Sequence, residues 1–258
     1  STEYWVLYKA QGANISMVEN WMLFTAGNLG NLLPGQAGTF YKFKYMRDVR
    51  NMPYSMSATN YGANLVLTFG SSAFIGLVGV FVTAYGPNNL SYIMLFTFSS
   101  LALAFIFMLV WPVPEIRWLR GRAAKGWNDL REGWEGLRKQ PLVTTQVVLL
   151  DIGKYLLSAW RFQIAFSLLG LNESFFFFLA IVPAAAIATI IAVTPAALGF
   201  REAFITTAAV AMGTNFSTGL LVSAIDRGIL LIVFLTMGTV GFLYTWPRLT
   251  QANSNAGP

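Results

Sequence analysis

The stretch Thr194-Pro195-Ala196-Ala197-Leu198-Gly199-Phe200-Arg201-Glu202 lies between two strongly apolar segments of this 258-residue chain. Proline removes a backbone donor and disfavours helix in the residue before it, while glycine permits turn dihedrals. A broken backbone at membrane depth is tolerated only where it is buried in protein or lines a polar cavity, and in transporters such breaks mark the substrate site. We therefore expect Pro195 and Gly199 to break a membrane helix, and Arg201 and Glu202 to contact a substrate there.

A second copy of the pattern lies near the start of the chain, in Leu33-Pro34-Gly35-Gln36-Ala37-Gly38-Thr39-Phe40-Tyr41-Lys42. Both stretches read Pro-x-x-x-Gly and continue with aromatic and charged residues. We predict a second helix break at Pro34 and Gly38, so that the chain has two pseudo-repeated halves with one break each. The sequence leaves open whether the first break belongs to a re-entrant hairpin or to a broken span, and whether the repeats are inverted or parallel.

The composition is that of a membrane protein. Hydrophobic residues make up 55% of the chain and charged residues only 11%, whereas soluble domains average about 25% charged residues. Apolar runs that can cross a hydrocarbon layer of about 30 Å, or form part of a broken span, lie at residues 57–83, 90–111, 141–169, 174–193 and 217–246. These features predict an all-α, polytopic integral membrane helix bundle.

The residue types that are absent exclude several kinds of chemistry. The chain has no Cys and no His, which excludes disulfide bonds, thiol chemistry, imidazole bases and His-ligated metals. The few carboxylates are scattered along the sequence, so we expect no metal site. We predict that the protein needs no cofactor and is not an enzyme.

We expect a single transmembrane domain in which a polar linker joins the two halves. The linker is rich in arginine and tryptophan and reads as an amphipathic helix that lies along the membrane surface. The expected bounds are about 1–111 for the first half, 112–140 for the linker, about 141–248 for the second half and 249–258 for a disordered tail.

The net charge of +6 is concentrated in residues 42–50 and 117–139, which suits contact with anionic phospholipid headgroups. The hairpin at 57–111 puts both segments on one side of the membrane, and the positive-inside rule makes that side cytoplasmic. Because the basic segments flank apolar spans, nucleic acid is a poor alternative partner.

Two spans carry a polar face at helical spacing, formed by Asn60, Asn64, Thr68 and Ser71 in one and by Asp151, Lys154, Ser158 and Arg161 in the other. We interpret the first set as interhelical hydrogen-bonding groups. In the second set, Asp151 can pair with Lys154 along the helix. Arg161 has no local partner, so it needs a partner from another helix, an anionic ligand, or access to the membrane interface.

The two breaks carry a resemblance to a known family. Pro34-Gly35-Gln36-Ala37-Gly38, with Lys42 and Arg47 beyond it, resembles the first signature of the flippase-like transmembrane region of lysylphosphatidylglycerol synthases and related stand-alone membrane proteins. The stretch from Thr194 to Ala203 resembles the second signature more closely, and Asp226-Arg227 lies where that family tends to carry an arginine. The similarity covers about residues 10 to 248.

This resemblance implies lipid translocation, or a membrane module attached to lipid-modifying chemistry, in the cytoplasmic membrane of a prokaryote. The family usually has further helices ahead of its first signature, and we expect that they are missing from this sequence. It also commonly has an acidic residue where Thr39 stands here, so we expect no headgroup contact by a carboxylate at that position. We expect no soluble aminoacyl-transferase domain in this chain, so the resemblance does not imply the synthase activity itself.

The residues support a compatible mechanism as a hypothesis. Free helix N-termini at the two breaks, together with the cations Lys42, Arg201, Arg227 and Arg161, attract the phosphate headgroup of a membrane phospholipid. Glu202 orients Arg201 or accepts a hydrogen bond from a headgroup ammonium. Two alternatives stay open: the charged residues are ion pairs that only stabilise packing, or the chain is a non-catalytic subunit of a larger membrane complex.

Overall fold

The computed structural model describes residues 1–33, 36–83, 89–111, 121–190 and 198–255. All regular elements in these ranges are helices, which confirms the predicted all-α class. In chain order they are α1 (Thr2–Ala10), α2 (Met17–Gly30), α3 (Ala37–Arg50), α4 (Tyr54–Thr83), α5 (Asn89–Val110), α6 (Gly121–Arg138), α7 (Pro141–Ser167), α8 (Phe175–Ile190), α9 (Phe200–Ala211) and α10 (Phe216–Asn255). The predicted break prolines Pro34 and Pro195 lie outside the described residues.

Within the described part of the chain, four helices are long and apolar enough to cross a membrane. Their apolar ranges are Tyr54–Thr83, Tyr92–Val110, Pro141–Ser167 and Phe216–Ala252, and α8 adds a shorter apolar segment. Large apolar side chains such as Phe96, Leu103 and Leu142 are exposed on them, which is stable only where lipid rather than water surrounds the helix. The chain is a multi-pass helical membrane protein.

The chain divides into two compact units. Unit 1 consists of Ser1–Val66, Met108–Val147 and Val233–Pro258, and unit 2 of Leu67–Phe107 and Val148–Ile232. The long helices α4, α5, α7 and α10 contribute residues to both units. Each unit draws on both of the halves expected at about 1–111 and 141–248, and the pseudo-repeat of these halves stays a prediction.

Unit 1 has an aromatic core contributed by its first three helices and the end of α10. Tyr8, Tyr45 and Leu23 are fully buried there, and Leu249 from α10 packs against the same cluster. This packing explains a difference from the sequence prediction: the tail expected to be disordered from residue 249 is helical to Asn255. An apolar contact that orders Leu249 also orders the helical turns around it.

Glycines allow α2 and α3 to cross at very short range inside unit 1. A Cβ at Gly38 would overlap the carbonyl group of Gly27, and a Cβ at Gly30 would lie 2.7 Å from the Cα of Gly38. The amide of Thr39 donates to the Asn31 side chain across 3.1 Å, which joins the end of α2 to the first turn of α3. Gly38 thus serves as a packing position in this hairpin.

The amphipathic helix α6 is attached to the end of α5. The indole of Trp134 donates to the carbonyl oxygen of Met108 across 3.3 Å, and Arg138 donates to those of Leu109 and Val110 at 3.4 and 3.3 Å. These are terminal carbonyls that a helix cannot satisfy by itself, and a cation is favoured at that end of the helix dipole. Residues 121–138 of the linker are therefore helical, as expected; residues 112–120 lie outside the described ranges.

The polar stripe of α4 forms hydrogen bonds to other parts of the chain. Within unit 1, Asn60 donates to Gln11 across 3.0 Å. Within unit 2, Thr68 donates to both oxygens of Asp151 on α7 at 3.3 and 3.2 Å. Lys154 also contacts Asp151, as expected from their spacing. The interpretation as an interhelical hydrogen-bonding group is thus confirmed for Thr68, whereas Asn60 bonds a residue that follows α1 and Ser71 Oγ has no partner among the described residues.

Substituting Gly38 with alanine tests the close crossing of α2 and α3. The added methyl group meets backbone atoms, which cannot rotate away, so we expect unfolding to become easier by about 1–3 kcal/mol or more. The measurement is the thermal unfolding midpoint of the purified protein in detergent. Gly153→Ala on α7 is the matched control, because a Cβ there has no neighbouring atom within 4 Å. Equal midpoints for the two variants would contradict the described crossing.

Candidate functional site

The predicted substrate residues Arg201 and Glu202 lie in the first turn of α9. Gly199 precedes this helix with a φ of +83°, a backbone conformation that residues with a Cβ rarely adopt. One oxygen of the Glu202 carboxylate, Oε2, accepts a hydrogen bond from the Gly199 amide across 2.8 Å. This contact satisfies one of the free amides that begin a helix, so it holds the Glu202 carboxylate in a defined place.

Asp226 on α10 binds two arginines from different helices. Arg161 Nε of α7 lies 2.6 Å from one carboxylate oxygen of Asp226, and an amino group of Arg201 lies 2.7 Å from the other. The Asp226 side chain is only 1% exposed. Arg161, which has no partner on its own helix, therefore obtains one from α10, as one of the predicted alternatives required.

The neighbouring residues of α9 and α10 form a second ion pair. Arg227 Nε lies 3.6 Å from Glu202 Oε1, and both side chains are largely buried. Arg201 thus faces Asp226 while Glu202 faces Arg227, so two adjacent residues of one helix meet two adjacent residues of the other. We call Arg161, Arg201, Glu202, Asp226 and Arg227 the arginine cluster; it brings together four of the five predicted substrate-binding residues.

The charges of the arginine cluster do not balance. Among the described residues, three guanidinium groups face two carboxylates, which leaves an excess of one positive charge in the arginine cluster. A charge in the bilayer interior costs about 2.5–3.5 kcal/mol on insertion scales unless it is compensated. Asp151 does not supply the compensation, since it already contacts Lys154 and Thr68. An arrangement with this excess charge favours an anion as its partner.

Lys42, the fifth predicted substrate-binding residue, belongs to unit 1. Its ammonium lies 4.4 Å from the centre of the Phe24 ring and 5.7 Å from that of Tyr4, which is a cation–π arrangement. Gly27 makes room for its stem, because a Cβ there would lie 2.8 Å from Lys42 Cδ. No carboxylate of the described residues lies within 4.0 Å of the ammonium. Burial lowers the pKa of Lys42 to about 8.

Unit 1 holds a second buried carboxylate, which is not among the residues predicted to bind substrate. Glu19, which is 2% exposed, accepts hydrogen bonds from Tyr45 across 2.7 Å and from Arg50 Nε across 2.8 Å. Arg248 lies 3.9 Å from the same carboxylate. The available signal was an acidic residue within an otherwise apolar helix, which requires a partner. The same signal, an Asp inside the last span, could have identified Asp226 as a site residue.

The described residues offer no cluster of three or more carboxylates that could hold a metal ion. The chemistry of the arginine cluster is instead that of hydrogen-bond donation and charge attraction. Guanidinium groups bind phosphate with two parallel hydrogen bonds, and Asp226 restricts the orientation of the two that contact it.

The lowered pKa of Lys42 predicts a pH dependence of stability. The unfolded chain holds the Lys42 proton more tightly than the folded protein does, so the free energy of unfolding rises as the pH rises above about 8. Between about pH 7.5 and about pH 9.5 we expect a gain of up to about 2 kcal/mol, measured as a rising unfolding midpoint. Lys42→Met should abolish this rise. Lys44→Met, at an exposed position, is the control; an unchanged pH profile in Lys42→Met would contradict the assignment.

Removing the Asp226 carboxylate should destabilise the protein strongly. Asp226→Asn leaves two guanidinium groups without their common counter-charge, and breaking a buried pair costs about 3–5 kcal/mol. Asp48→Asn removes the partner of the exposed Lys44, where about 0–1 kcal/mol is expected. Unfolding in detergent measures both. Adding Arg161→Gln to Asp226→Asn should recover part of the loss, and strictly additive effects would argue against direct coupling.

Comparison with known proteins identifies the family of this chain. No curated protein and no solved structure matches it. A family model described as the lysylphosphatidylglycerol synthase TM region matches residues 1–238, which include both predicted breaks and every member of the arginine cluster. The chain belongs to the family of the lysylphosphatidylglycerol synthase transmembrane region, a membrane family related to lipid handling or synthesis.

Proposed function

We propose that this protein binds the phosphate headgroup of an anionic or lipid-linked substrate at the arginine cluster and moves it across the cytoplasmic membrane of a prokaryote. The observation that carries the proposal is the excess positive charge of the cluster, held on α7, α9 and α10 inside unit 2. A headgroup phosphate supplies the missing negative charge. Membership of a lipid-related membrane family supports a phospholipid as the substrate class.

Arg201 is the residue best suited to contact the phosphate. One of its amino groups binds Asp226, while its other amino group, Nη1, is buried and has no acceptor among the described residues. A buried donor without a partner costs about 1–3 kcal/mol, and more when it is charged. A phosphate oxygen at this position removes that cost. The contact also neutralises the cluster, so binding is favoured by two separate terms.

The start of α9 is the part of the structure where we expect the headgroup to bind. Gly199 precedes the helix with a positive φ, and Arg201 and Glu202 lie in the first turn. A re-entrant arrangement of either half stays a prediction, as does participation of Lys42 in the same substrate path. Binding at the arginine cluster requires neither.

The test is translocation of a fluorescent phosphatidylglycerol in proteoliposomes, with the wild type compared with Arg201→Gln. This substitution removes the excess charge and leaves the pairs Arg161–Asp226 and Arg227–Glu202 in place. We expect translocation to slow by about tenfold or more, as for the loss of one charge-assisted hydrogen bond. Lys139→Gln, which removes an exposed cation of unit 1, should leave the rate unchanged.

Two outcomes would contradict the proposal. If the wild type shows no activity above empty liposomes for several headgroups, autonomous lipid translocation is excluded, and a non-catalytic subunit of a larger membrane complex becomes the better description. A stoichiometric membrane partner in gentle purification would then support that description. If the wild type is active and Arg201→Gln is equally active while folded, the substrate path does not pass the arginine cluster.

A further inference from the structure

Helix α7 carries a polar edge of which the arginine cluster uses only one end. Lys154, Ser158 and Arg161 follow one another at intervals of four and three residues, which places them on one face of the helix. Arg161 belongs to the arginine cluster, whereas Lys154 lies two turns, or about 10 Å, nearer the start of α7. We call these three residues the polar edge of α7.

Both cations of the polar edge are paired with an aspartate that lies deeper in the protein. Asp151 is fully buried and contacts Lys154, while 42% of the Lys154 side chain is exposed. Asp226 is buried in the same way, and 33% of the side chain of its partner Arg161 is exposed. The negative end of each pair therefore lies inside unit 2, and the accessible end is positive.

The neighbouring helix α4 holds Asp151 in this inward position. The Thr68 hydroxyl donates to both carboxylate oxygens of Asp151, at 3.3 and 3.2 Å. The Tyr155 hydroxyl of α7 in turn donates to the Thr68 carbonyl oxygen across 3.2 Å, which joins the two helices. Because the carboxylate is fixed on the inside, Lys154 is the charge of this pair that a ligand can reach.

Lys154 is the middle residue of α7, which runs from Pro141 to Ser167. At 1.5 Å per residue it lies about 20 Å from either end of the helix, so the centre of a hydrocarbon layer of about 30 Å surrounds it. An exposed cation is costly at that depth unless water or an anion reaches it. Arg161 imposes the same requirement two turns further along. The polar edge therefore needs a polar occupant along its length.

We propose that the polar edge of α7 is the route by which an anionic lipid headgroup crosses the middle of the bilayer, with Lys154 as a second contact for its phosphate. This inference rests on the proposed function and adds to it the path between the arginine cluster and the start of α7. The phosphate passes between Arg161 and Lys154, and the Ser158 hydroxyl donates a hydrogen bond to it on the way. Because each cation already has a counter-charge, it binds the phosphate weakly enough to release it.

The first experiment is translocation of a fluorescent phosphatidylglycerol in proteoliposomes by Lys154→Gln. The glutamine can still donate a hydrogen bond to Asp151 but offers no charge to the phosphate, so we expect translocation to slow by about tenfold or more. Lys154→Arg keeps the positive charge and should keep the rate. Lys139→Gln is again the control for loss of a cation elsewhere. An active wild type and an equally active Lys154→Gln would overturn the inference.

A double variant separates passage of the headgroup from a purely structural role of the ion pair. Asp151→Asn combined with Lys154→Gln replaces the pair with two amides, so that no buried carboxylate is left without its counter-charge. We expect an unfolding midpoint close to that of the wild type in detergent and a translocation rate as low as that of Lys154→Gln. If the double variant instead recovers the rate, the pair serves packing alone and the inference is overturned.

The last measurement does not depend on translocation. The chain has no cysteine, so Ser158→Cys introduces a single thiol on the polar edge. Leu157→Cys places a thiol at the neighbouring position, where the leucine is 65% exposed on the lipid side. A charged methanethiosulfonate reacts with the thiolate, which forms where water has access. We expect labelling at 158 to be about tenfold faster or more, as for a thiol pKa that is lower by about one unit.

The outcomes distinguish this inference from the proposed function. Equal labelling at 158 and 157 in a protein that translocates lipid would overturn the route along α7 and leave binding at the arginine cluster standing. A wild type that moves no lipid, although the thiol at 158 is labelled, would contradict the proposed function, and the hydrated edge would then not be a lipid route.

Discussion

The buried carboxylate of Asp226 is the group on which the candidate site depends. It forms ion pairs with Arg161 of α7 and Arg201 of α9. It therefore holds in place two guanidinium groups that come from two different helices. In a medium of low dielectric constant each of these charges is stable only beside an opposite charge. The position of α9 against α10 follows from this requirement, and the adjacent pair Glu202–Arg227 reinforces it.

Both compact units use the same solution for charges in an apolar environment. Glu19 in unit 1, like Asp226 in unit 2, holds two arginines that come from other helices. The two clusters differ in completeness. Glu19 is saturated by Tyr45 and Arg50, and Arg248 reaches outward with 41% of its side chain exposed. In the arginine cluster of unit 2 Arg161 is partly exposed as well, but Arg201 and Glu202 retain buried atoms without partners among the described residues, which is why we propose substrate recognition there.

Much of the fold was readable from the sequence because a membrane imposes simple rules on it. Apolar length identified the spans, a shortage of charge identified the class, and the polar stripe of α4 identified the interhelical hydrogen bond of Thr68. The predictions were less accurate where tertiary packing opposes local signals. Helix α10 continues through Pro247 and beyond residue 249 because Leu249 packs into the core of unit 1.

For the site, the sequence by itself singled out Arg161, Arg201, Glu202 and Arg227, because charged residues within or beside apolar segments need a partner and because three of them lie in or match the motifs of the family. Only the tertiary structure decided how they pair, because partners 25 and 65 residues apart leave no periodic pattern in the chain. It also placed Lys42 in a separate unit, against aromatic rings. A charged residue within an apolar segment is visible in the sequence, because burying it without a partner costs free energy. Which residue supplies the opposite charge depends on which helices pack together.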